Sequence, residues 1–426
     1  MHHIGYRLQV LRKLRKLTQR QLAEGISSTG KVSRYENDQE PVPANLIPMF
    51  AKRLGVSIDE LTGACETQQI LEISRRSDST YRLIHEKEYE EAWAEIQRIK
   101  GLLASILNEE AHIDVINLEA IYYARWKENT AAYEVLKGLS AYRFSQYTSL
   151  FFRIQITLGI LQYNQGKYLE ALDHFMLAME RNTKDGSIHE AILYYYLALT
   201  HTRISMNAQG TYYAKMAAHL FRQQEAIFNL KETALLRAII YSDEKRWEES
   251  YEQSNIVLQY PINSTREKLQ HAKALHNIGI YFREKGEWEK SLEHLKSSLQ
   301  LKKELGNPSE IAFTMLIICQ VYLASHDHDS FLTYITDFEN QFASQLLPIH
   351  QALMYQMKGE YYVAIESFHK MQREYLFAIE KYLSAGAENY AARLYFLLAE
   401  HFNSPEYYAK AARIYNTYFT TNLYRE

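Results

Sequence analysis

The chain has 426 residues, too many for one compact core, so two or more domains or a repeat array are expected. Apolar residues make up 47% and only seven prolines and sixteen glycines interrupt them, which favours a helical protein. The net charge of −3 hides a split, +4 in residues 1–60 and −7 beyond, which excludes the long acidic part as an average nucleic-acid surface and puts any such contact at the N-terminal end.

Residues 4–16 read as a first helix. Ile4, Leu8, Leu11 and Leu14 share one face, and Arg7, Arg12, Lys13, Arg15 and Lys16 load the polar side. Thr18 then caps a second helix, with Gln21 three residues on as a capping box requires. Leu22, Ala23 and Ile26 give it an apolar face. A turn at Gly25–Ser27 leads to a third helix that places Val32 and Tyr35 inward and Ser28, Lys31 and Arg34 outward together. After Glu36 comes a loop with Pro41 and Pro43. Asn45 is read as the cap of a fourth helix that tolerates Pro48 in its first turn and runs to Gly55. Ser57 and Glu60 form a second capping box, and Gly63 closes a fifth helix.

A braced helix with a short basic, polar face is what a helix-turn-helix presents to the DNA major groove. With Thr18-Gln19 and Leu22-Ala23 at its start and Ser33-Arg34-Tyr35-Glu36 at its end, the stretch resembles the lambda-repressor-like (xenobiotic-response-element type) helix-turn-helix. Its turn, Glu24-Gly25-Ile26-Ser27-Ser28, is one residue shorter than the commonest pattern. That form resembles the peptide-responsive regulators of Gram-positive bacteria. The resemblance implies that Ser28, Thr29 and Arg34 reach base edges, that Gln19, Lys31 and Asn37 contact phosphates, that Ser33 belongs to the same face, and that Arg12 pairs with Glu36. Residues 1–65 are the expected DNA-binding domain and 66–80 a linker helix.

From residue 81 to 426 the chain repeats itself. Ala274-Leu275-His276-Asn277-Ile278-Gly279-Ile280-Tyr281 is followed by Gly286-Glu287-Trp288, Ser291-Leu292 and Leu295. A second copy runs from Leu158-Gly159-Ile160-Leu161 through Gly166-Lys167-Tyr168 to Ala171-Leu172 and Phe175. Echoes occur at Tyr89/Ala92, Trp247/Ser250 and Tyr375/Ala378/Tyr382. A small residue lets two antiparallel helices approach, and an aromatic after the turn fills the wedge. This resembles the tetratricopeptide repeat, at about forty residues rather than thirty-four. Eight or nine copies are expected, poorly marked near 200–215, 315–335 and 390–420. The expected fold is all-α, a five-helix DNA-binding domain followed by a right-handed solenoid whose first helices line a concave surface.

Other chemistry is thin. Cys65 and Cys319 match no metal spacing and are expected to stay reduced in a cytosol. No apolar run approaches eighteen residues, and no signal-peptide core is seen. His326-Asp327-His328-Asp329 falls where a solvated inter-helix turn is expected rather than a metal site. Gly166-Lys167 is followed by Tyr168, not by the Ser or Thr of a phosphate loop. No catalytic motif, metal or cofactor is expected. The groove says more. With Gly279 as the eighth residue of its repeat, His276 and Asn277 take the inward fifth and sixth positions. The same register turns Asn117, Arg125 and Asn164 inward. An Asn amide both donates to and accepts from a peptide backbone, and an Arg holds a carboxylate bidentately.

The layout resembles the RRNPP regulators, and most of all their neutral-protease-regulator subgroup. The resemblance implies a cytoplasmic transcription regulator, not an enzyme. Its double-stranded operator DNA, probed as a homodimer or higher oligomer, would be bound under control of a short re-imported signalling peptide. An alternative implied by some relatives is an interaction module that sequesters a phosphorelay phosphotransferase, or acts as its phosphatase, with DNA binding secondary.

Overall fold

The computed structural model describes residues 4–103, 106–126, 128–142, 144–182, 184, 186–342 and 347–423, and leaves the side chains of Cys65, Thr67 and residues 417–423 outside the description. All regular structure among them is helical, as expected. The chain divides into two compact units, residues 1–230 and 231–426.

The first unit opens with α1 (Ile4–Leu14), α2 (Gln19–Ala23), α3 (Thr29–Glu36), α4 (Ile47–Leu54) and α5 (Ile58–Thr62). Both expected capping boxes form, Thr18 with Gln21 and Ser57 with Glu60. Gly55 and Gly63 end α4 and α5 in the left-handed conformation. Leu8, Leu22, Val32, Tyr35, Phe50, Leu54 and Leu61 make the core. Three expectations change. Asn45 lies in a turn, and Leu46 takes the N-cap position of α4 without a side-chain bond. Leu14 is 66% exposed, because α1 ends there and leaves the core. Arg7, assigned to the polar side, is buried. Its guanidinium holds the Glu66 carboxylate at 2.6 and 2.8 Å and the carbonyls of Glu60 and Leu61, so a charge sits inside because it is fully paired.

Eighteen α-helices follow and pair as nine hairpins among the described residues. In the first unit they are α6 (Thr67–His85) with α7 (Tyr89–Leu103), α8 (Glu109–Trp126) with α9 (Asn129–Leu136), α10 (Thr148–Asn164) with α11 (Tyr168–Glu180), and α12 (Ile188–Arg203) with α13 (Asn207–Gln223). The expected linker end at residue 80 falls inside α6, which packs on α7 and α8 as the first helix of the first pair. Helix α14 (Ile227–Asp243) crosses the division between the units. Its partner α15 (Trp247–Leu258), α16 (Thr265–Glu284) with α17 (Trp288–Leu305), α18 (Pro308–Ala324) with α19 (His328–Phe342), α20 (Pro348–Ala364) with α21 (Phe368–Ser384), and α22 (Glu388–Phe402) with α23 (Pro405–Leu423) complete the second.

Small residues sit at the hairpin crossings. A Cβ on Gly159 would stand 2.3 Å from the Phe175 ring, and one on Gly279 2.5 Å from Leu295 Cγ. Gly359 stands against Tyr375 in the same way, so Tyr375 is the crossing residue of α21 and not its opening aromatic. That place belongs to Phe368. Eight of the nine hairpins turn on one described residue of positive φ: Lys87, Gly166, Ser205, Lys245, Gly286, His326, Glu366 and Asn403. The following N–H closes on the carbonyl five residues back, as from Met206 to His201 and from Asp327 to Tyr322.

Candidate DNA-reading face and peptide site

Helix α3 is short and held from both ends. Ser28 caps it, its Oγ accepting the Lys31 N–H at 3.3 Å, and Asn37 closes it, its amide donating to the Ser33 carbonyl at 2.8 Å. Val32 and Tyr35 are buried, which turns Ser28, Thr29, Lys31 and Arg34 out to solvent together, with Ser33 half-buried beside them. Arg12 grips Glu36 with two bonds of 2.6 and 2.9 Å, so the pair implied by resemblance is present. Gln19 joins it, donating to the same carboxylate at 2.8 Å. Its side chain thus braces α2 against α3. Arg34, on the outer face, meets Glu40 at 3.0 Å in a half-exposed pair. Arg53 of α4 donates to the carbonyls of Gln21 and Glu24 and so fixes the end of α2. Glu40 and Arg53 carry no sequence signal: each contact is long-range or lies in an irregular loop.

The array residues are placed unevenly. Asn117 is buried, and its amide donates to the Tyr81 hydroxyl at 2.8 Å. Arg125, two turns on along α8, bonds the hydroxyl of Tyr196, lies over that ring and reaches the His85 carbonyl at 3.4 Å. Burial opposes its charge, but the tyrosine oxygens around it, Tyr196 foremost, keep its pKa above the usual arginine range. Asn164, at the end of α10, donates to the Ala124 carbonyl at 2.7 Å and to Asn129. All three are engaged by their own chain rather than presented on an open groove. The physical reason is burial on every side: α8, α10 and α12 keep residues of all their faces inside.

In the second unit His276 is buried, its Nδ1 3.2 Å from the Thr314 hydroxyl and its ring against Phe313. Burial, then Lys302 and Arg283, push its pKa well below the usual histidine value. Asn277 is half-buried, and its amide makes no hydrogen bond among the described residues. Two turns further along α16 a cavity of about 620 Å³ opens across α16, α18 and α20. Arg283, Glu284, Gln320, Gln356 and Glu360 supply its polar wall, and Leu353 and Met357 its apolar one. Arg283 donates to Gln320, and Gln356 to Glu360 at 2.7 Å. Burial lifts the Glu360 carboxyl above the usual range. These residues were missed because three different helices contribute them. Their only signal is a polar residue recurring on first helices one repeat apart. His326 and Asp327 form the expected exposed turn.

Residues 8–61 match the family model of a helix-turn-helix. The transcriptional activator NprA of Geobacillus stearothermophilus is 23% identical over 311 residues, covering 72% of this chain and 74% of the relative. The apo form of the quorum sensor NprR from B. thuringiensis has the same fold, with a TM-score of 0.67 at 20% identity over 81% of this chain and 97% of that one. NprR in complex with its cognate peptide NprX follows, with a TM-score of 0.57 at 19% identity over 83% and 98%. The likeness to the RRNPP regulators holds. The family model carries the DNA-binding module, and the curated relative and the fold neighbours carry the helical array behind it. None of the described helices is long and apolar enough to cross a membrane.

Proposed function

We propose that the chain is a cytoplasmic transcription regulator that reads operator DNA through α3 and adjusts that affinity when a short re-imported signalling peptide binds the array. One observation carries the reading. A capped recognition helix, braced by a partly buried Arg12–Glu36–Gln19 network, leaves Ser28, Thr29, Lys31 and Arg34 free of the core on one face. The peptide half of the proposal draws on Asn277 with its unengaged amide, on the mixed polar and apolar cavity farther along α16, and on the peptide complex of the similar NprR. Such a cavity suits an extended backbone with one or two apolar side chains. A single helix-turn-helix reads few base pairs, so a dimer on an inverted repeat is the expected working form. The peptide must favour one conformation or assembly of the regulator over another, otherwise it changes nothing.

The test is selection of duplexes from a random pool by the purified full chain. Anisotropy titrations on the selected duplex follow, with and without synthetic peptides from any small secreted propeptide encoded beside the gene. Enrichment of an inverted repeat, with an affinity that one peptide shifts, is the expected result. A pool that stays random, with phosphotransferase capture instead, would move the function to protein sequestration.

A further inference from the structure

Helix α6 directly follows the DNA-binding module, and its inner face sets polar groups among Ile73 and Ile84 where a packing helix is normally apolar. Ser77, Tyr81 and His85 recur at four-residue steps and are all buried. They meet the α8 face that carries Asn117 and Arg125, also two turns apart. Across this seam Asn117 donates to the Tyr81 hydroxyl, and Arg125 reaches the His85 carbonyl. That carbonyl also accepts from Asn229 of α14 at 3.2 Å, and the Tyr81 ring stands edge-on to His189 of α12 at 4.7 Å. So the last turns of α6 lie against the starts of α12 and α14, which belong to the fourth and fifth hairpins.

The seam is poorly satisfied. Ser77 Oγ, His85 Nδ1, Asn117 Oδ1 and Arg125 Nε are buried and have no hydrogen-bond partner among the described residues. Each has lost water without gaining a replacement. His85 also faces the Arg125 charge, which with burial holds the imidazole neutral. Four such atoms gather in this one seam, which makes it a contact that a better-matched partner can replace. The unmet groups describe that partner. Arg125 offers an Nε–H beside its Nη2, a fork for a carboxylate. Asn117 offers a bare carbonyl oxygen, an acceptor for a main-chain N–H.

We propose that α6 is a displaceable ligand in cis, held by Asn117 and Arg125 in the place where an extended peptide with a carboxylate would satisfy the same two residues. This rests on the peptide-sensing reading and adds how the signal leaves the site. Glu66 takes the N-cap position of α6 without a side-chain cap bond, and its carboxylate holds Arg7 of α1 while also accepting the Leu107 N–H at 3.4 Å. Release of α6 moves Glu66, and Glu66 carries α1 with it. The route is one helix and one buried ion pair, a contiguous physical link between array and DNA-binding module.

Hydrogen exchange on the full chain, without peptide, tests the device. Amides of residues 73–85 exchange through local opening about a hundredfold faster than those of residues 150–161 in α10. Two variants then move α6 in opposite directions. Tyr81→Phe removes the partner of the Asn117 amide and speeds α6 exchange about tenfold, whereas Ser77→Ala with Asn117→Leu fills the seam with apolar groups and slows it about tenfold. Amides of α1 follow α6 in both variants, and those of α22 do not. A seam that merely packs would leave α1 unmoved. Exchange of α6 at the α10 rate in the unaltered chain, or α1 indifferent to both variants, overturns the proposal. Neither result touches peptide binding itself, because no peptide is present.

Discussion

Reading a base through Arg34 requires that its guanidinium leave Glu40. The pair is 3.0 Å long, with side chains 50% and 38% exposed. An exposed pair of this kind stabilises by about 0–1 kcal/mol. Glu40→Ala removes that competitor, so operator affinity should tighten by up to about fivefold, the factor that 1 kcal/mol allows. Arg34→Ala should weaken the same operator by about 1–3 kcal/mol and relax base choice at one position. The double variant separates the effects: if Glu40 acts by holding Arg34, its removal gains nothing once Arg34 is gone. The assay is anisotropy on a selected duplex at one fixed salt concentration, since phosphate contacts make affinity salt-dependent. An equal gain from Glu40→Ala with and without Arg34 would mean general charge repulsion and refute the held-arginine reasoning. Unchanged sequence preference in Arg34→Ala would refute the recognition-helix assignment itself.

Glu36→Ala should destabilise the DNA-binding module by about 3–5 kcal/mol, because Arg12 and Gln19 lose the carboxylate between them; thermal melting of the full chain should show an early transition. Gly279→Ala should cost about 1–3 kcal/mol, since its Cβ would stand 2.5 Å from Leu295 Cγ, and a melting scan reads this directly. Cys319 is buried, and burial pushes its thiol up to about 12. It should resist thiol reagents until the chain unfolds, and its contribution to stability should be complete below the usual thiol range and fade as pH rises toward about 12. His85 and His276 are depressed by burial, so stability should hold above the usual histidine range and fall as pH drops from 7 toward 5, as urea melts at stepped pH would show.

The N-terminal module was legible because its signals are local. Capping boxes, apolar steps and outward basic residues all sit within a turn or two of one another. The array was legible where glycine betrays its register. Gly166 and Gly286 take the left-handed turn position, and those two copies stood out in the sequence. Ser205, His326 and Asn403 hold the same conformation with a side chain attached, and the copies around them are the poorly marked ones. Arg7 shows the other limit. On a helical wheel it belongs to the polar face, yet it is buried, because Glu66 and two carbonyls more than fifty residues away complete its hydrogen bonds. Asn117 and Arg125 were singled out for their chemistry, and that chemistry is used within the chain, Asn117 by Tyr81 of α6 and Arg125 by Tyr196 of α12 and the His85 carbonyl. Periodicity finds which side of a helix faces inward. It does not say whether the inward space holds solvent, a ligand or another helix.

The second unit shows how a repeat array fixes the stacking of neighbouring hairpins without sequence landmarks. Thr314 of α18 has one hydroxyl proton, and it goes to the Glu310 carbonyl at 3.0 Å. The Thr314 oxygen accepts from Lys302 of α17 at 2.9 Å, and His276 of α16 stands with Nδ1 3.2 Å away. Three helices from two hairpins thus meet on one oxygen. Lys302 is buried, which lowers its pKa, but its second bond, 2.8 Å to the Glu310 carboxylate, compensates the charge. Slipping α18 by one turn would strand a buried ammonium and a carboxylate together, a larger penalty than misplacing an apolar side chain. His276 Nε2, on the other side of the ring, is buried and has no hydrogen-bond partner among the described residues. Asn277 and His276 therefore differ in kind, although they are adjacent in sequence. The amide of Asn277 can meet a donor and an acceptor together, whereas Nε2 of His276 has a single hydrogen-bonding site.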